Sequence, residues 1–147
     1  MKAAACFACA CVLIACIGQT PEDQERDAVV SIGPHGPEHN PGSPCLLCHD
    51  FGLAGTIYRR AADENGVAGV TVTMTDATGR VFTEVSNATG NFYTNDAPTY
   101  PVHVEISMGG VKQPMRNVVH QWGSCAECHR PDAGASSAGR IFLEKTP

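Results

Sequence analysis

No cluster of Lys or Arg occurs anywhere in the chain, whose 10 basic residues face 15 acidic ones for a formal charge of -5. A nucleic-acid partner needs a basic footprint to neutralise phosphates, so that class of function is excluded. Charged residues make up only 17% and aromatic residues only 6%, with a single Trp. A core with so few large rings is modest for 147 residues, and a buried cofactor would add to it. No apolar run reaches the ~20 residues that a membrane-spanning helix needs. With 15 Gly and 10 Pro, long helices give way to loops and tight turns. The length is that of one domain.

What is present begins at the N-terminus. The stretch "MKAAACFACACVLIAC" has a basic start at Lys2 and a short apolar run, the pattern of a secretory signal peptide. Its end, Leu13-Ile14-Ala15-Cys16, resembles the lipobox of bacterial lipoproteins. The resemblance implies that residues 1–15 are removed and that Cys16 is acylated, anchoring the exported protein to a lipid membrane. Ile17 stands where an inner-membrane retention signal of that family usually has Asp, which points to the outer membrane, on its periplasmic or cell-surface side. Plain signal cleavage, with Cys16 idle or lost, is the alternative. Cys6, Cys9 and Cys11 leave with the signal, so the folded part keeps Cys45, Cys48, Cys125 and Cys128.

Residues 16–44 mix charge, Pro and Gly without apolar periodicity and read as a flexible tether. The texture then changes. "GTIYRR" (55–60), "GVTVTMTD" (69–76), "RVFTEVS" (80–86), "NFYT" (91–94) and "VHVEIS" (102–107) read as short strands, several alternating apolar and polar residues. "DATG" (76–79) and "NATG" (87–90) are turn sequences between them, and Gly109-Gly110 closes the last strand. The expected fold is all-β: a small antiparallel sandwich at about 52–118, flanked by two loop segments, within a domain spanning 45–147. The words "AGTIYRRAADENGVAGVTVTMTDATGRVFTEVSNATGNFYT" also resemble the carboxypeptidase regulatory-like domain, a transthyretin-like β-sandwich. That resemblance implies a fold and says little of function.

The loops carry a repeated phrase. "HNPGSPCLLCH" at 39–49 returns as "HQWGSCAECH" at 120–129, and each copy is followed by Ala-Gly-x-Ile-aromatic, at 54–58 and 138–142. Two equivalent sites, each leading to a short strand against the sandwich, are expected. Cys-x-x-Cys-His is the attachment sequence for c-type haem. Two thiols at this spacing reach the two vinyl groups of one porphyrin, and the following His lies beneath the iron. Cys45, Cys48, Cys125 and Cys128 are thus the expected anchors of two covalently attached haem c groups, with His49 and His129 as proximal ligands. Disulfides do not explain a His after both pairs, a thioredoxin-like centre lacks its βαβ context, and a four-ligand zinc site would span an unusually long gap.

Four histidines remain. His39 and His120 occupy matching places in the repeat and are the expected distal ligands, each to its own haem or to the other. His103, on the polar face of a strand, is the first reserve. His35, in "GPHGP", is the second and could complete a haem in a neighbouring molecule. Met108 and Met115 are further candidate axial ligands. Two imidazoles per iron close it to small molecules and suit electron transfer. The two motifs, the upstream histidines and the lipobox make the chain look like one of the small exported multihaem cytochromes of bacteria. The resemblance implies a non-enzymatic carrier passing single electrons between redox proteins, other c-type cytochromes among them. A dihaem peroxidase or small-molecule reductase with one open iron is the first alternative. The second is a surface-binding sandwich with an aromatic patch. Stacking into homo-oligomers or filaments, with ligands shared between subunits, overlaps the carrier reading.

Overall fold

The computed structural model describes residues 36–131, 134 and 137–143; the stretch read as a signal peptide, Cys16 and His35 lie outside them. The described residues contain no α-helix and form two sheets with a shared apolar interior. Five strands fall where the sequence places them: β1 (Leu53–Tyr58), β2 (Thr71–Thr75), β3 (Val81–Val85), β4 (Asn91–Thr94) and β5 (His103–Met108). A sixth, β6 (Val111–Pro114), follows the Gly109-Gly110 turn as the second arm of a hairpin. A seventh, β7 (Ile141–Phe142), is the short strand after the second phrase.

The larger sheet has the order β3-β2-β5-β6, antiparallel throughout. The smaller has the order β4-β1-β7, with β4 antiparallel and β7 parallel to β1. Val72 and Met74 of β2, Phe82 of β3 and Ile106 of β5 face Leu53 and Ile57 of β1 and Phe92 of β4 across the interior. Each such side chain contributes roughly 1.5–3 kcal/mol by leaving water. The core is the period-two pattern made physical.

Two turns repeat one device. Oδ1 of Asp76 accepts from Thr78 N at 2.9 Å, Thr78 Oγ1 at 2.6 Å and Arg80 N at 3.0 Å. Oδ1 of Asn87 accepts from Thr89 N at 3.1 Å, Thr89 Oγ1 at 3.0 Å and Asn91 N at 2.9 Å. The side chain caps its own turn, which is why Asx-x-Thr-Gly is the shared spelling. Gly79 and Gly90 both take φ +83. Their surroundings differ: a Cβ at Gly79 would meet nothing, whereas one at Gly90 would lie 2.4 Å from the Ile57 carbonyl oxygen and 2.7 Å from Gly66 Cα.

Two outcomes follow for stability. Gly79→Ala is expected to cost only the left-handed backbone penalty, about 1–2 kcal/mol, while Gly90→Ala adds a backbone clash and costs about 3 kcal/mol or more; urea midpoints of the two variants check this. The Asp76 carboxyl is held down at about 2, chiefly by the Thr78 hydroxyl and then by the backbone N–H groups of Thr99, Arg80 and Thr78. Because this lies below the unfolded value of about 4, its stabilisation is complete above that pH and disappears as the pH falls from about 4 toward 2. Urea midpoints should therefore drop across that window, and Asp76→Asn should flatten the drop.

Candidate functional site

Each Cys-x-x-Cys-His phrase folds into one 3-10 turn, Cys45–Leu47 and Cys125–Glu127. The bonding is the same in both. Cys48 N donates to Cys45 O at 3.3 Å and His49 N to the same oxygen at 3.0 Å; the second copy repeats this at 3.2 and 2.9 Å. Helical spacing of this kind puts the first Cys near the second Cys and the His on neighbouring positions of one turn. All four thiols are free.

Both turns are seated on β1. All six of its residues are buried. Leu53 and Ile57 face the core, while Thr56 faces the segment leading into the first motif, where Gly42 N donates to Thr56 Oγ1 at 2.8 Å. The second motif takes the open edge. Ala54 N donates to Gly123 O at 2.8 Å, and Ser124 bridges Ala54. The chain then loops out through Cys125, Cys128 and His129 and returns as β7, pairing Ile141 with Ile57 and Phe142 with Tyr58. These partners are the matching residues of the two copies, so the repeat in sequence is a pairing in space.

Glycine makes the second seat possible. A Cβ at Gly55 would lie 2.7 Å from Cys125 Cβ and 3.1 Å from the Phe92 ring. Burial pushes the Cys125 thiol up to about 12, helped by the charges that Cys45 and Cys128 would carry. Burial likewise pushes the Cys45 thiol up. Raised thiols are the opposite of the low-pKa cysteine of a thioredoxin-like centre. Cys48 and Cys128 are exposed.

Backbone carbonyls orient the His129 and His39 imidazoles. His129 Nδ1–H donates to the Gly139 carbonyl at 2.8 Å, leaving Nε2 with its lone pair. Gly139, at φ +77, belongs to the Ala-Gly-x-Ile-aromatic segment of the second copy, and Ala138 N returns to Cys128 O at 2.8 Å. At the first copy, His39 Nδ1 is bonded to the Gly36 carbonyl, and the His39 ring centroid lies 5.6 Å from that of His49. The two imidazoles of the first copy thus lie together, their planes tilted by 56°. His49 stacks on Phe51 at 4.9 Å and Phe51 on Tyr93 of β4 at 4.4 Å.

The expected distal ligands thus part company. His39 is brought to His49; His120 is exposed, and no ring contact joins it to His129 among the described residues. His103 is exposed on β5, in the other sheet. Met108 and Met115 are exposed. No three His, Cys, Asp or Glu converge as a zinc site requires, among the described residues. A porphyrin iron asks less of the protein, since only axial ligands and thiols must be supplied. Two buried polar atoms without partners, Ser124 Oγ and Arg140 Nε, flank the second motif. The donors present could serve haem c: free thiols in pairs, each pair followed by an imidazole, with the proton of His129 held on Nδ1. Of the aromatic patch expected of a binding module, Tyr58, Phe82 and Phe92 are buried and Tyr100 is partly so, leaving Tyr93 at 38% exposure.

No family model, curated protein or solved structure matches the chain. Residues that the sequence did not single out are Thr56, Gly55, Asn91 and Gly139. Only the Gly shared by the two Ala-Gly-x-Ile segments carried a signal.

Gly55→Ala places a methyl against Cys125 Cβ, which cannot swing aside, and is expected to cost about 1–3 kcal/mol of stability; thermal unfolding beside the wild type measures it.

Proposed function

We propose that the protein is an exported dihaem c-type cytochrome, anchored to the outer membrane through Cys16, which relays single electrons to and from other redox proteins. The observation that carries this reading is the identical turn adopted by both Cys-x-x-Cys-His phrases on one strand, with all four thiols free. Cys45 and Cys48 would hold one haem and Cys125 and Cys128 the other, with His49 and His129 as proximal ligands. Haem, when bound, supplies a one-electron iron couple.

The protein's part is orientation. The Gly139 carbonyl keeps the His129 proton on Nδ1, so that Nε2 stays a neutral donor, and it makes the imidazole more basic. Phe51 flattens against His49 and limits rotation of that ring. His39, with its proton held toward Gly36 and its ring beside His49, would supply the second imidazole of the first site. The exposed Cys48, His49 and Cys128 put part of each site at the surface, where transfer between proteins occurs. A chain of charge -5 favours a partner with a basic rim.

A dihaem peroxidase or small-molecule reductase is a second reading, favoured by the difference between His39, beside its motif, and the exposed His120. A high-spin ferric EPR signal in wild-type protein that shifts with cyanide at half of the haem would select it over the carrier.

Protein matured with a c-type haem ligation system is expected to gain two haem masses and a pyridine haemochrome with two thioether-bound haems per chain. A mass equal to polypeptide plus acyl groups, without a Soret band, would overturn the proposal.

A further inference from the structure

The segment that carries His39 is held to the sheet by a run of hydrogen bonds. Gly42 N donates to Thr56 Oγ1 at 2.8 Å, and Thr56 Oγ1–H donates to Asn91 Oδ1 at 2.7 Å. Asn91 Nδ2 then donates to the His39 carbonyl at 2.9 Å. Thr56 and Asn91 are both buried, and every polar atom of their side chains is used. Asn87 adds a third hold, its Nδ2 donating to Pro37 O at 2.6 Å. The bonds enclose His39 from both sides in sequence, at 37, 39 and 42.

The link runs in one direction. Asn91 can accept from Thr56 and donate to His39 only as an amide, because a carboxylate at that position would turn an oxygen toward the His39 carbonyl. Thr56 must both accept and donate, which a hydroxyl alone can do here. At the second copy the residue matching Thr56 is Arg140, whose guanidinium instead donates to Ala61 O at 3.2 Å and lies over the Tyr58 ring at 5.0 Å. The device belongs to the first copy.

We infer that Asn91 and Thr56 are positioning residues for iron ligation at the first site: through the buried Gly42–Thr56–Asn91–His39 chain they hold the His39 imidazole opposite His49. This rests on the proposed haem attachment and assigns to two β-strand residues the six-coordinate state of one of the two irons. Losing the chain frees the loop and lowers the fraction of molecules with His39 in place, and an exogenous ligand then competes more successfully.

The test uses haem-loaded full-length protein, with covalent haem counted first by intact mass. Asn91→Asp, which replaces the donor to the His39 carbonyl with an oxygen and adds a buried carboxylate, and Thr56→Val, which breaks the chain at its centre, are compared with His39→Ala. Ferric EPR and the rate of cyanide binding are the readouts, and Thr56→Ser, which keeps the hydroxyl, is the conservative control. Expected are a new high-spin signal from one haem of the two and cyanide binding faster on the order of tenfold in Asn91→Asp and Thr56→Val. Thr56→Ser should behave as wild type, His39→Ala should show the full effect, and added imidazole should return His39→Ala to low spin. A two-haem Asn91→Asp protein with wild-type spin state and cyanide rate, alongside an altered His39→Ala, overturns the positioning role. An unaltered His39→Ala overturns ligation by His39. Absence of covalent haem from the wild type instead overturns the proposed function, and this inference with it.

Discussion

Everything in this molecule depends on a single strand being buried from every side. β1 has sandwich core behind it, β4 along one edge, the second motif and β7 along the other, and the first motif's lead-in over its outer face. A strand in the middle of a small sheet has its N–H and C=O groups claimed and its two faces free to be specialised. Here one face is apolar, with Leu53 and Ile57, and the other carries Thr56 and Tyr58. The Cys-x-x-Cys-His turns have no core of their own: their residues are at most partly buried, Cys125 against the core of the sandwich. Their placement is therefore borrowed from β1.

Covalent anchors of the kind proposed would need only such a rigid base, whereas a haem held by packing alone would need a large apolar pocket around it. Gly55 supplies the base by absence, since without a side chain it lets the backbone of the second turn approach until Cys125 touches the strand. Gly123 works in the same way one step earlier: its own Cβ would lie 2.1 Å from the Gly52 carbonyl oxygen. Close approach, not turn geometry, fixes both positions.

Much of this was legible in the sequence. Alternation at Val70, Val72 and Met74 and at Val104 and Ile106 marks strands because one face of each is buried, and the Asx-x-Thr-Gly words mark the turns because the side chain bonds its own backbone. β6 escaped because "VKQP" has no buried face; it is an edge strand, half-exposed along its length and ending in Pro. The stretch read as tether from 16 to 44 includes residues 36–44, which lie against the sheet, since Pro37, His39 and Gly42 are held by polar bonds that leave no hydrophobic period to detect. The parallel pairing of Ile57 with Ile141 was equally hidden, because a repeat in sequence does not say whether its copies meet.

The copies meet, and yet they are not equivalent. Both have Ala-Gly-x-Ile after the motif, but the glycines work differently. Gly55 lies within a regular strand and makes room for a thiol, while Gly139 turns with φ +77 so that its carbonyl reaches His129. The residue after it separates them further, Thr56 completing a buried polar chain to His39 and Arg140 folding over Tyr58. One copy thus spends its support on His39 and the other on His129. A strand has two faces and two edges, and no two of these offer the same partners. Two identical phrases seated on one strand must be held by different atoms, so identical sequence motifs here lead to chemically distinct sites.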